Sequence, residues 1–576
     1  MDMTRWPVFS GELLEVYEQE LQTIRDQELL KRLWSRDETL WPGASLASGN
    51  VRASLEFLQI PEKLPQILER ILTAETAARA EGLTDRVLIA FENAHLLCET
   101  LLNIYPLAPP LRCLVMDSSH PAGIRRIEAQ LDIEKTLFLL VSKAGYRLGD
   151  HALFLYFLKA VQSRVSSAPA RHFVAETEPN SFLATVAGQY GFRFVLELPS
   201  AIPTLYCSLV DIAALLVALA DVELEVIRVA SRELKKSHSE PASNGINLAC
   251  ELAAFLSASA TRRRKFIVFL ASKKLAPFAD SLCRLVGGSL GKGESGLYPV
   301  AETIPCRFDV YEGKSSFVIL KHAEESEPFC ERAASELRSR GISFVEITVK
   351  DPLDLLREVF LWQIVTVVAG ARIGLNPFDA AEVRLPKTLT AELLNNYSAH
   401  NDTLKRRPRI QEAGIQMFAE ARARYEISQL NLVECLISFF HHRQRAEYLG
   451  LYVFLEPEEM VRTAFQKLRE QLSQALGLPV LLGWGPRSLD TYGYLLRVGA
   501  PAGLHLMITA DEKEDVAIPG TNYSFGQLYR ALALGQFEAL SAGAGLALRL
   551  HLASVAPESL SQLQNLVQQA LRRMSG

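Results

Sequence analysis

The chain has 576 residues, of which 49% are hydrophobic, 22% charged and 8% aromatic. That composition matches ordinary globular domains and excludes a disordered, collagen-like or coiled-coil chain. Its 61 basic and 66 acidic residues leave a net charge of −5, without the strong basic excess of a dedicated nucleic-acid binder.

Met1–Ser10 carries charges and Pro7 and lacks the apolar core of a signal peptide. From residue 11 to residue 80, apolar positions recur at helical spacing, as in Leu13, Leu14, Tyr17, Leu21 and Ile24. This predicts an all-helical entry segment over residues 1–80. From Arg86 the pattern changes to short apolar runs alternating with longer amphipathic ones. Strands are expected at Val87–Ala90, Leu111–Met116, Thr136–Val141, His172–Ala175 and Phe194–Leu198. Helices are expected between them, near Ala94–Asn103, Ala122–Leu131, Asp150–Val165 and Ser181–Tyr190. That alternation is the signature of parallel βαβ units and defines a first α/β domain, residues 81–235.

The most apolar stretch, Ile212–Ala220, is bounded by Asp211 and Asp221. It is far shorter than the roughly 20 residues a membrane span needs, so no membrane association is expected. Lys235–Gly245 is polar and rich in Ser, Pro, Asn and Gly, and reads as a linker. A second alternating block covers residues 246–390. Its strands are Phe266–Leu270, Ser316–Leu320 and Ser343–Val349, and its helices lie near Asn247–Ser259, Ala276–Val286, Glu325–Arg338 and Leu353–Ala371. The cluster Arg262-Arg263-Arg264-Lys265 runs straight into the first of those strands and reads as its solvated lead-in. A second basic cluster spans Lys405–Arg409. Residues 391–576 complete the chain: a helical stretch to about residue 450, then strand, helix, strand from Gly450 to Thr509.

The eight cysteines form no C-x-x-C pair and no set with zinc spacing. Unpaired thiols in a large chain favour a reducing compartment, so a soluble cytoplasmic protein is expected.

Several segments fall in a telling order. They are Trp34-Ser-Arg-Asp-Glu-Thr-Leu-Trp41, Asp117-Ser-Ser-His-Pro121, Thr136–Lys143, Gly374–Asp379, Gly485-Pro-Arg487, Ile508–Asp511 and Tyr523–Gly526. Together they resemble the glucose-6-phosphate isomerase family, and most closely the isomerase half of bifunctional transaldolase/glucose-6-phosphate isomerases. The resemblance implies an α/β fold with two tandem, doubly wound parallel-sheet domains of the sugar isomerase (SIS) type. A helical N-terminal segment would precede them and a C-terminal α/β addition would follow. It also implies a phosphosugar aldose–ketose interconversion, without metal or redox cofactor, and a homodimer. Such chemistry needs a phosphate cradle at a helix N-terminus, a carboxylate base and a cation for the enediolate oxygen.

The residues at the implied site positions depart from the family pattern. The glycine-rich loop after the first strand is replaced by Ala90–Leu96, which brings Glu92 towards an anion site. The second phosphate loop reads Ser142-Lys143-Ala144-Gly145-Tyr146-Arg147; Ser142, Lys143 and Gly145 match, and Arg147 offers a bidentate phosphate contact. The arginine expected before the last helix of the first domain falls at Ile202-Pro203-Thr204 and is missing. The glutamate that serves the family as base falls at Gly288, the glutamate upstream of it at Cys283, and Lys292 is retained. Glu294 reads as a solvated loop residue and Cys283 as a packed helix cysteine. In the C-terminal motif the two histidines become Asp490 and Leu496, and the lysine becomes Arg497, which cannot release a proton near neutral pH. The expectation is therefore a retained scaffold with its catalytic positions substituted, kept for binding a sugar phosphate or a partner. The alternatives are an active isomerase with a rearranged site and a structural partner of an active isomerase.

Overall fold

A computed structural model describes residues 6–8, 12–41, 51–145, 147–220, 222–239, 247–303, 308–324, 328–379, 384–397, 402–419, 431–497, 500–543 and 545–575. The chain divides into two compact units. Met1–Asp117, Leu131–Pro305 and Gly313–Ala381 form the first; Ser118–Gln130, Cys306–Glu312 and Glu382–Gly576 form the second.

The first unit holds two five-stranded sheets. One runs in the order Arg112–Met116, Asp85–Ala90, Thr136–Val141, Phe173–Thr177, Phe194–Glu197, with every pairing parallel. Asp85–Ala90 is buried at every position, as a central parallel strand covered on both faces must be. The other sheet has the order Phe344–Val349, Ser315–His322, Phe266–Ala271, Tyr298–Glu302, again parallel, with Trp6–Val8 added antiparallel beside Phe344–Val349. The two edge strands of this sheet, Trp6–Val8 and Tyr298–Glu302, each carry a proline, Pro7 and Pro299, where a missing N–H breaks no ladder. Sequence pattern missed them for the same reason.

Helices cover these sheets. Pro352–Ile373 is buried along most of its length; Asp351 caps its start by accepting from Asp354 N at 2.8 Å, and Gly374 ends it at φ 74°. The entry helix Glu12–Asp26 is tied to it by Glu20, which is buried and meets Arg372 at 2.6 Å. The first half of the expected linker is helix instead. Leu224–Ser239 is helical through Lys235 and Lys236, and residues 240–246 lie outside the described residues.

The second unit has a six-stranded sheet. Val480–Trp484, Tyr448–Phe454, Gly503–Ala510 and Leu546–Leu552 run parallel in that order; Ile415–Ala419 and Ile410–Glu412 extend it antiparallel. The hairpin corrects the expectation of an all-helical stretch between 390 and 450. Ala413 and Gly414, both at positive φ, form its two-residue turn. Among the parallel strands of all three sheets, the second in chain order lies outside the first and the third lies on the other side of it. Each therefore has a topological switch point between its first and third strands, where ligands of such folds bind.

Candidate functional site

At the switch point of the first sheet, the loops after Asp85–Ala90 and Thr136–Val141 meet. Phe91 and Glu92 come from one, Ser142–Arg147 from the other. Glu92 precedes the helix Asn93–Ile104, a position where the helix dipole favours a negative charge. Arg147 reaches across to it: Nη1 donates to the Phe91 carbonyl at 3.2 Å, and Nη2 lies 3.4 Å from Glu92 Oε1. Arg284, buried on the helix Ala276–Leu290, donates to the Glu92 carbonyl at 2.7 Å. Glu92 thus supplies an internal anion beside the arginine that the sequence offered to a phosphate.

The other residues of the second loop are also engaged. Lys143 is 3% exposed; its ammonium donates to the Glu178 carboxylate and, at 3.4 Å, to the Ser200 carbonyl. Its own carbonyl accepts from Thr177 Oγ1 at 3.0 Å and Glu178 N at 2.9 Å. Ser142 is buried, and its N–H donates to the Glu176 carbonyl at 3.0 Å. Gly145 has φ 70°, and a Cβ there would stand 2.8 Å from Ser181 Oγ and 2.9 Å from Leu183 N. Its backbone conformation and this close approach account for the glycine without any ligand. Tyr146 lies outside the described residues.

Gly288 and Lys292 belong to the second sheet of the same unit. Gly288 sits in the last turns of Ala276–Leu290, and a Cβ built on it would lie 2.6 Å from Leu205 Cδ1. The neighbouring Ser289 Oγ is 3.0 Å from Tyr206 Oη. Lys292 Nζ donates to the carbonyls of Asn376 at 2.5 Å and Asp379 at 2.6 Å, so it staples the chain beyond Pro352–Ile373. Glu294 is exposed, and Cys283 is fully buried with its thiol pushed well up by burial. Asp490 and Arg497 belong to the second unit. Both are half-buried, Asp490 on the short helix Arg487–Tyr492 and Arg497 just after the turn Gly493–Leu496. Gly485, ahead of that helix, has φ 45°, and a Cβ there would stand 2.5 Å from Tyr529 Oη.

No family model matches the chain. Among curated proteins, the glucose-6-phosphate isomerase of Thermosynechococcus vestitus is 29% identical over 190 residues, 32% of this chain and 36% of the relative. The match thus spans about a third of that relative's length. Among solved structures, a hypothetical protein from Thermus thermophilus aligns with a TM-score of 0.56 and 20% identity, covering 67% of this chain and 99% of that one. A glucose-6-phosphate isomerase from Chlamydia trachomatis aligns with a TM-score of 0.52 and 15% identity, covering 66% of this chain and 86% of its own. The fold is that of a glucose-6-phosphate isomerase. Its two first-unit sheets are the tandem SIS-type domains of that fold.

Two polar arrangements in this isomerase-type fold were not read from the sequence. Glu176, on the strand Phe173–Thr177, and Asp211, on the helix Ser208–Leu219, both line a largely apolar cavity of about 70 Å³. Burial pushes the Glu176 carboxyl up to about 7. Burial, then the charge of Glu176, pushes Asp211 up as well. Asp211 had read as the polar boundary of an apolar stretch; an acid at the start of so apolar a helix was the available signal. In the second unit His120 is buried at that sheet's switch point. Its Nε2 lies 2.8 Å from Glu512 Oε1, its Nδ1 accepts from Ala122 N at 3.2 Å, and its ring meets Tyr529 edge-on at 4.7 Å. Arg126 holds the adjacent Glu456 at 2.9 Å. Among the described residues no group of three or more His, Cys, Asp or Glu side chains is arranged to hold a metal, and no helix is long and apolar enough to cross a membrane.

Proposed function

We propose that this chain is a glucose-6-phosphate isomerase homologue that does not carry out the isomerisation and is retained as a binding scaffold for a sugar phosphate or a protein partner. The observation that carries this reading is the contact at Gly288. The position implied for the base has no side chain, and Leu205 stands where one would begin. Loss of a positioned base removes about 10²–10⁴ in rate. The cations add to the argument, since Lys143, Arg147 and Lys292 each hold an oxygen of the protein itself. The described cysteines are free thiols, which supports a reducing, cytoplasmic location.

The test is a coupled assay of fructose 6-phosphate conversion to glucose 6-phosphate, run beside a thermal shift with both sugars. No turnover together with a stabilising shift supports the scaffold reading; a ligand at 100 times its Kd adds about 2.7 kcal/mol. Turnover near that of ordinary isomerases would overturn it. A second reading, an active isomerase with a rearranged site, draws on Glu176, a carboxyl near neutral pKa at the same sheet. Turnover abolished by Glu176→Gln would favour it. Silence in both measurements would leave a structural partner of an active isomerase, or a homodimer with that role.

A further inference from the structure

Cys98 and Cys113 have no part in the reading above. Cys98 lies on the helix Asn93–Ile104, and Cys113 lies on Arg112–Met116, an edge strand of the first sheet. Periodicity turns the two towards each other. Ala94, Leu97, Cys98 and Leu101 fall on one helical stripe, and all four belong to the apolar core. Cys113 and Val115 alternate onto one face of the strand, and both pack against that same core. The two sulfurs meet there at 3.9 Å, although the residues are 15 positions apart in the chain.

The two thiols differ in access. Cys98 is fully buried, and its thiol is pushed well up, first by the contact with Cys113 and then by burial. It therefore keeps its proton and does not meet reagents from solvent. Cys113 is half-buried, and among the described cysteines it alone is not buried. Oxidation follows access to the sulfur, so a small oxidant reaches Cys113 first. Cys98 then stands where a resolving thiol must stand, in contact with the oxidised sulfur.

We propose that Cys98 and Cys113 are a redox pair: a hydroperoxide oxidises Cys113, and Cys98 converts the product into a disulfide that a dithiol reverses. In the first step the Cys113 sulfur attacks the peroxide. An S–O bond forms, the O–O bond breaks, and the thiol proton leaves with the departing oxygen as water or an alcohol. In the second step the Cys98 sulfur displaces the hydroxyl of the Cys113 sulfenic acid. The S–S bond forms, the S–O bond breaks, and the hydroxyl leaves with the Cys98 proton as water. The two thiols together lose two electrons, which the peroxide takes up. A disulfide is about 2.05 Å long, so the sulfurs close by roughly 2 Å, a movement that side-chain rotation supplies. In a reducing location the pair rests as two thiols and closes transiently under oxidant. Closure ties the helix that starts beside Glu92 to the sheet edge. It requires neither turnover nor a bound sugar, and so stands apart from the reading of the isomerase-type site.

Treatment of the full chain with hydrogen peroxide, followed by blocking of free thiols and peptide mapping by mass spectrometry, tests this. Of the eight thiols in the chain, two are lost on oxidation. The peptides holding Cys98 and Cys113 are recovered joined, and dithiothreitol restores both thiols. Cys113→Ser leaves Cys98 reduced under the same treatment. Cys98→Ala leaves the Cys113 sulfenic acid without its resolving thiol, so dimedone labels Cys113 about tenfold more than in wild type. Cys113 is half-buried, so its substitution disturbs the core little, and the mapping of the wild-type chain needs neither variant. The proposal is overturned if the joined peptides are not recovered, or if Cys113 is found joined to a different cysteine. Oxidation of Cys98 that persists in Cys113→Ser would overturn it as well.

Discussion

Leu205 Cδ1 lies 2.6 Å from the point where a Cβ on residue 288 would stand. A real Cβ does not tolerate that approach, so one residue or the other must shift. The atom in the way is the end of a half-buried leucine side chain that can turn aside, so Gly288→Ala should lose no more than about 1 kcal/mol to overpacking, largely offset by about 0.5–1 kcal/mol of helix preference for alanine over glycine. Leu205→Ala opens the space. A double-mutant cycle followed by urea unfolding should show a coupling of about 1 kcal/mol. Additive effects would mean that Leu205 moves aside freely and that the position can still admit a side chain. By the same contact, Gly288→Glu alone should yield no isomerase turnover; any gain should require Leu205→Ala beside it.

Arg147 and Glu92 form the second relationship open to test. The pair is partly exposed, with side chains 23% and 14% accessible, so breaking it should cost no more than about 1 kcal/mol of stability. Its effect on anion binding should be larger. Glu92→Gln removes the negative charge beside Arg147 and should raise glucose 6-phosphate affinity about tenfold, or about 1.4 kcal/mol, by calorimetry. An unchanged affinity would show that Glu92 is not what keeps anions out of this loop.

Gly145 and Gly191 make a matched pair. Both have positive φ, 70° and 75°, but a Cβ on Gly145 meets Ser181 and Leu183, whereas one on Gly191 meets nothing within 4 Å. Alanine at either position carries the left-handed penalty of about 1–2 kcal/mol. Gly145→Ala should be worse than Gly191→Ala by a further 1 kcal/mol or about that, from the close approach. Equal losses in thermal unfolding would leave the glycine of the phosphate-loop motif without its packing explanation.

The fold was legible where burial speaks through continuous apolar runs. Thr136–Val141 was bounded correctly because Lys135 and Ser142 frame an unbroken apolar strand. Tyr298–Glu302 and the 410–419 hairpin were not, because an edge proline and an Ala-Gly turn give weak local signals. The site was legible in a different way. Aligned motifs pointed to the loop after Thr136–Val141, and the missing side chain at Gly288 could be read directly. What packs against residue 288 could not: Leu205 is far from it along the chain, and nothing in either segment announces the other. The Glu176–Asp211 pair was hidden for the same reason, since strand and helix bring together two acids that each look ordinary in place.

That pair yields a pH dependence with a definite sign. Burial raises Glu176 from 4.5 to about 7 in the folded state. At pH below 4.5 the carboxyl is protonated in both states and the full stability is present. Between pH 4.5 and 7 the unfolded chain releases this proton while the folded chain keeps it. The unfolded state then binds fewer protons, and stability declines as pH rises through the window. Above about 7 the loss is complete. Glu176→Gln removes this contribution, because the amide has no proton to lose. The variant should gain about 1–3 kcal/mol on wild type between about pH 5 and pH 8, measured as the difference between their urea unfolding free energies. Taking the difference cancels the other titrating groups, except Asp211, which burial raises first and Glu176 second. Parallel profiles for the two proteins would show that Glu176 ionises normally, and would also withdraw the carboxyl on which the active-isomerase reading depends.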